Sequence, residues 1–156
     1  MKIFYFMKKN KGFTLIELLV VIAIIAIIAS VVVASLGVAK NKGIDASIKA
    51  SLNQARTQAE IFYITANSYS GVCDSANDTA NPKGIYGMVF QAAKSSRLSS
   101  VTVNGTGSLF TATCNTNGTD WAAEVPLANV SNSVWCVDSS KKSVINTTSI
   151  GNGIAC

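Results

Sequence analysis

The sequence predicts an α+β protein: a long N-terminal helix, membrane-spanning in its first half and amphipathic in its second, packed on a small antiparallel β-sheet head. Three observations carry this expectation. Phe13 to Ala39 is a run of 27 residues in which Glu17 is the sole charge. Directly after it, apolar residues recur at helical spacing. Beyond residue 97 the pattern shortens towards a period of two, punctuated by Asn-Gly pairs.

The apolar run has the length of a membrane span. At about 1.5 Å per residue it makes roughly 40 Å of helix, enough for a hydrocarbon core of about 30 Å. Its Ile and Val are mediocre helix formers in water, but lipid offers the backbone no hydrogen-bond partner, so a bilayer favours helix. After Lys40, Ile44, Ile48, Leu52, Ala55, Ala59 and Phe62 follow at spacings of 4, 4, 3, 4 and 3, one face of a helix. Asp45, Lys49, Asn53, Arg56 and Glu60 fall between them and read as a solvated face. One helix is therefore expected from about Phe13 to about Ala66, with Gly37 and Gly43 as the places for it to bend or loosen.

Asn67 to Gly84 is rich in turn residues and predicts a loop. Gly87 to Ser95 predicts a short helix with Val89, Ala92 and Ala93 inward. Strands are expected at Leu98–Val103, which meets Asn104-Gly105, and at Leu109–Cys114, which meets Asn117-Gly118; Asn-Gly between β-prone runs signals a hairpin. Trp121–Leu127, Val134–Asp138 and Ser143–Asn146 complete the set. A sheet packed on the amphipathic half of the helix would bury both apolar faces. Trp121 and Trp135 read as core. Asp120 and Glu124, four apart, would share a strand face, with no companion cluster to make a calcium site.

Net charge is +5, yet Lys2, Lys8, Lys9 and Lys11 all precede Phe13, leaving nine Lys and Arg against eight Asp and Glu beyond it. The basic balance is a topology signal, with positive charge retained on the cytoplasmic side of the span. Histidine is absent, which removes Ser-His-Asp catalysis and His-ligated metals. Cys73, Cys114, Cys136 and Cys156 contain no CxxC, and four cysteines beyond a span read as two disulfides rather than a zinc site. Their three connectivities stay open on sequence alone.

A lone carboxylate in an apolar span is expensive, so Glu17 needs a partner. The stretch Lys11-Gly12-Phe13-Thr14-Leu15-Ile16-Glu17-Leu18-Leu19 supplies a reason for it. It resembles the class III signal of type IV pilins and the pseudopilins of type II secretion, in which a short basic leader ends in Gly, Phe follows, and a Glu stands fifth in the mature chain. The resemblance spans about Lys8 to Ala39. It implies a leader at 1–12, a long helix at 13–66 (13–39 as transmembrane segment and filament core) and a globular head at 67–156. Gly12 and Phe13 would flank the cleavage site, Phe13 would be N-methylated, and Glu17 would pair with the N-terminal amine of a neighbouring subunit. Among the three cysteine connectivities the resemblance favours a C-terminal bond, Cys136–Cys156, with Cys73–Cys114 as the other.

The function implied is that of a structural subunit of a filament, not an enzyme, with no cofactor. Its partners would be further copies of itself, other pilins, a prepilin peptidase and N-methyltransferase, an inner-membrane assembly platform, and membrane lipid before assembly. It would cross the inner membrane once with the head outside, then enter an extracellular or envelope-spanning filament. The alternatives are a secretion pseudopilin and a DNA-uptake (competence) pilin; the latter requires Lys83, Lys94, Arg97, Lys141 and Lys142 to converge. Reading the run as an ordinary secretory signal cleaved after Ala34 fits poorly with its length and early charge. Two features depart from the family pattern: Ala34 stands where many members carry Pro, and Met7 would begin a leader of more usual length than Met1.

Overall fold

A computed structural model describes residues 12–79 and 82–156. Residues 1–11, with their four lysines and Met7, lie outside the described residues, so of the expected leader 1–12 only Gly12 is described. Helix α1 runs Leu15–Ala66, 52 residues, helical through Gly37 and Gly43. Asn67 ends it in a left-handed conformation (φ 53°), donating its N–H to the Tyr63 carbonyl at 2.7 Å, as an Asn in the position after a helix often does. Two units divide the chain near Gly37. The described part of the first is the apolar start of α1 and the three residues ahead of it.

The second unit, Val38–Cys156, is the head. It contains the rest of α1, a 3-10 turn at Ser75–Asp78, helix α2 (Tyr86–Ser95), and strands β1 (Val101–Val103), β2 (Ala112–Thr116), β3 (Trp121–Pro126), β4 (Val134–Asp138) and β5 (Ser143–Asn146). The strands form one sheet in chain order. Ile48, Leu52, Ala55, Ala59 and Phe62, the stripe read from the sequence, are buried against Cys114, Trp121, Ala123, Val125 and Val137, with Val89, Ala92 and Ala93 of α2 closing the core. Each of these strand residues belongs to the inward alternation of its strand, so helical and strand periods meet in one core.

Three expectations need correction. The sheet is mostly antiparallel, but β1 pairs parallel with β2, Val101 opposite Ala112 and Val103 opposite Cys114. Asn104-Gly105 therefore makes no hairpin. Asn104 (φ 47°) turns the chain off the sheet edge, its N–H donating to the Cys114 carbonyl and its side chain accepting from Thr116 N–H, while Gly105 N–H donates to Asn115 Oδ1. Those side-chain bonds satisfy the backbone locally, so the strand need not fold back on itself. Asn117-Gly118 does turn an antiparallel hairpin, Thr116 opposite Trp121, with Gly118 at φ 92°. Second, Asp45 is not on a solvated face: it is 7% exposed and accepts the N–H of Ala128 at 2.6 Å and of Asn129 at 3.3 Å. Third, Asp120 precedes β3 on an exposed turn, whereas Glu124 is fully buried within that strand.

Candidate assembly site

At the start of α1, Gly12 and Phe13 stand ahead of the helix, with Phe13 90% exposed. Thr14 caps the first turn. Its N–H and hydroxyl donate to Glu17 Oε2 at 2.8 and 2.9 Å, and its Oγ1 accepts the Glu17 N–H at 3.3 Å. This reciprocal arrangement is a capping box, which satisfies N–H groups that a helix start leaves unpaired. Thr14 is a residue that the sequence reasoning does not single out, although the Thr-x-x-Glu spacing marks it.

The cis bonds engage only one carboxylate oxygen. Glu17 Oε1 accepts nothing among the described residues. Farther along, Ser30 and Ser35 return their hydroxyl protons to the carbonyls of Ile27 and Val31, as polar side chains must where no water reaches. The large apolar side chains of the run are at least half exposed, as in Val20 at 50% and Leu15 at 80%. An open carboxylate oxygen on a helix with an unpartnered apolar surface is a group suited to meet a cation from another chain. A Cβ at Gly12 would touch nothing within 4 Å, so no described residue of the chain itself requires glycine there.

In the head, Cys73 is bonded to Cys114 and Cys136 to Cys156. The first bond ties the loop after α1 to the core face of β2. The second lies on the outer face of the sheet, where the C-terminal segment 147–156 is held by three side chains that sequence reasoning passes over as anchors. Glu124 accepts from the Ser149 hydroxyl and from Ile150 N–H at 3.0 Å. Asn115 Nδ2 donates to the carbonyls of Gly151 and Gly153. Asp138 accepts from Cys156 N–H at 2.9 Å, from the Ser140 hydroxyl at 2.7 Å and from Lys142 N–H at 3.1 Å. Gly107 belongs to the same cluster: a Cβ there would stand 2.6 Å from Thr113 Oγ1 and 2.7 Å from Glu124 Oε1.

Burial raises both Glu124 and Asp138, yet their net shifts have opposite sign because their hydrogen bonds differ. Desolvation raises Glu124 above its ordinary value, and the bonds from Ser149 and Ile150 offset only part of that. Desolvation also pushes Asp138 upward, but donors from Cys156, Ser140 and Lys142 outweigh it and hold the group below the usual range. The five cations that a nucleic-acid reading needs together line separate grooves or stand apart. Lys83 lies with Ser51 and Gln91, Lys141 with Arg56 and Glu60, Arg97 with Asn41 and Ile44, Lys94 covers the Phe90 ring, and Lys142 Nζ donates to the Cys156 carbonyl.

The site and fold define a class of protein: an apolar helix with an exposed, capped N-terminus, joined in sequence to a disulfide-tied α+β head. Residues 7–33 match the family description "Prokaryotic N-terminal methylation motif". Over 64 residues the chain is 48% identical to the type IV wide pilus major component PilA4 of Thermus thermophilus, covering 41% of this chain and 49% of that protein. The chain thus spans about half the length of the curated relative it matches. No solved structure matches it with significance. The chain is thus similar to a prokaryotic N-terminal methylation motif over residues 7–33 and to a type IV pilus component over 64 residues.

Proposed function

We propose that the chain is a structural subunit of a type IV pilus-like filament, stored in a membrane through the first half of α1 and assembled by packing of that half between copies. In this reading a prepilin peptidase cuts between Gly12 and Phe13, the new amine is N-methylated, and Glu17 of one copy receives the amine of its neighbour. The observation that carries the reading is the capped helix start: Oε2 is held in cis by Thr14 while Oε1 remains open. Cis capping and trans pairing therefore do not compete for one oxygen. In a low-dielectric bundle the amine–carboxylate attraction is far stronger than in water, and it gives the buried charge a partner. The match to a pilus component favours a pilus over a secretion pseudopilus, and the scatter of Lys83, Lys94, Arg97, Lys141 and Lys142 speaks against DNA binding.

Mass spectrometry of purified filaments tests the proposal. The expected N-terminal peptide starts at a methylated Phe13. A peptide retaining Lys11, a start at Ser35, or cells whose surface filaments lack this chain would overturn it.

A further inference from the structure

The head carries complementary ends. Within it α1 runs upward from Val38, so Ile44 and Ile64 lie about 30 Å apart along the helix. At the Ile44 end there is a groove of about 570 Å³ whose apolar lining includes Ile44, Leu98, Leu127 and the ring of Phe110, which is 70% exposed. Arg97 borders it, exposed and with no acceptor among the described residues. Lys40 and Lys42 are exposed at this same end of α1. The carboxylate nearby, Asp45, is buried and bonded to two backbone N–H groups, and among the described residues it forms no ion pair with these basic side chains.

The opposite end reverses both features. Ile64 is 81% and Tyr63 39% exposed, projecting apolar surface instead of enclosing it. Tyr63 packs at a tilt against Tyr69, whose backbone carries the Asn117–Asp120 turn through the bond from Tyr69 N–H to the Gly118 carbonyl. Glu60 and Asp120 flank this aromatic group. Burial first, then the Glu60 carboxylate that accepts its hydrogen bond, push the Tyr69 hydroxyl up to about 12, with smaller contributions from Tyr63 and Asp120. Arg56 and Lys141 lie beside Glu60, so Asp120 is the carboxylate of this end that the docking uses.

We infer that a second copy of this chain docks here: the Tyr63–Ile64 tip of one head enters the Phe110 groove of another, with Asp120 facing Arg97. This rests on the filament reading and adds to it a contact between heads. An apolar projection meets an apolar recess, and Asp120 beside the projection meets Arg97 beside the recess, the arrangement by which opposite charges at a rim fix register. The two surfaces differ, so the contact is heterologous. Such contacts close into rings or propagate as open helical arrays. Asp120 on the tip gives the groove, with Arg97 at its border, a reason to prefer a copy of this chain over an uncharged apolar partner.

A photo-crosslinking residue at Phe110, in assembled filaments of the full chain, reads the contact directly. The expected product joins Phe110 to a peptide of a second copy containing residues 60–66 or 117–121. In parallel, Arg97→Glu should lower filament yield at least about tenfold, because like charges across an interface cost several kcal/mol. Combining it with Asp120→Arg should restore yield to within about threefold. Ile64→Asp, at a side chain with almost no packing in its own head, should lower yield similarly while leaving both disulfides intact on non-reducing gels. Crosslinks to lipid or to other segments, or failure of the charge swap to restore yield while the disulfides are intact, overturn the docking and leave the subunit reading standing. Absence of this chain from filaments overturns both.

Discussion

Removal of the Cys136–Cys156 bond, as Cys136→Ser with Cys156→Ser, isolates the covalent part of the C-terminal anchor. The bond closes a sequence separation of 20, and loop-closure entropy for that length corresponds to about 3 kcal/mol at 25 °C. The head unit Val38–Cys156 has an unfolding entropy of roughly 0.25 kcal/mol per kelvin, so the loss should lower Tm by about 12 °C. The segment should nevertheless stay seated below that temperature, because Glu124, Asn115 and Asp138 still hold it through hydrogen bonds. The paired comparison is Cys73→Ser with Cys114→Ser. Its separation of 41 predicts about 4 kcal/mol, and both sulfur atoms lie in the core, where two serine hydroxyls add desolvation cost. Thermal melts of detergent-solubilised full chain, followed by near-ultraviolet circular dichroism of Trp121 and Trp135, give both numbers. A fall under about 4 °C for the C-terminal pair would show that the polar anchors, not the bond, set the stability of this face. A larger loss there than for the core pair would refute the argument from loop length and burial.

Other side chains give sharper single-site tests. Glu17→Val should leave membrane insertion intact or improve it, since a charge costing about 2.5 to 3.5 kcal/mol on insertion scales is removed; filament yield should collapse, and wild-type yield would dismiss the trans pairing. Asp45→Ala leaves the Ala128 and Asn129 N–H groups buried without an acceptor and should cost about 1–3 kcal/mol in denaturant melts; Asp45→Asn, which keeps a carbonyl oxygen, should recover most of that. Glu124 titrates above its ordinary 4.5 in the fold. Its contribution is therefore fully present below about 4.5 and is lost as pH rises through the folded value. Glu124→Gln should flatten that part of the stability–pH curve. Asp138 runs the other way: its contribution is present above 3.8 and lost as pH falls through its lower folded value, so acid unfolding below pH 3.8 should persist in the Glu124→Gln variant and weaken in Asp138→Asn.

The helical elements were legible because their signals are local and redundant. The stripe Ile48, Leu52, Ala55, Ala59 and Phe62 needs nothing beyond its own spacing to declare a buried face. The pairing of β1 was not legible in the same way. Asn104-Gly105 carries a hairpin signature, and what overrides it is Asn115, eleven residues away in sequence, whose side chain captures Gly105 N–H once β2 is in place. The same holds for the buried anchors. Asp45, Glu124 and Asp138 look like surface carboxylates until the partners from distant segments arrive: Ala128 and Asn129, Ser149 and Ile150, Cys156. On the outer face of the sheet Thr113, Glu124, Cys136 and Asp138 are all buried because the C-terminal segment covers them. Sequence periodicity reports which face an element buries against the first layer. It carries no signal for a second, irregular layer whose contacts are hydrogen bonds from backbone to scattered side chains.

Glu17 shows where that boundary falls in the candidate site. Its isolation in an apolar run is visible in the sequence, and isolation poses the question of a partner without saying how many oxygens are already engaged. The structure divides the carboxylate: Thr14 takes Oε2, and Oε1 is left open. That division makes Thr14 testable separately from Glu17. Thr14→Val removes the hydroxyl donor and the acceptor for Glu17 N–H while the backbone donor to Oε2 remains. The helix start should lose about 1 kcal/mol, and the carboxylate, freed to rotate, should pair with a neighbour less selectively. The expected outcome is a filament that still forms but withstands less heat, whereas Glu17→Val forms none. If the two variants were equally defective, the cap itself would be the function of Glu17, and the open oxygen would have no role.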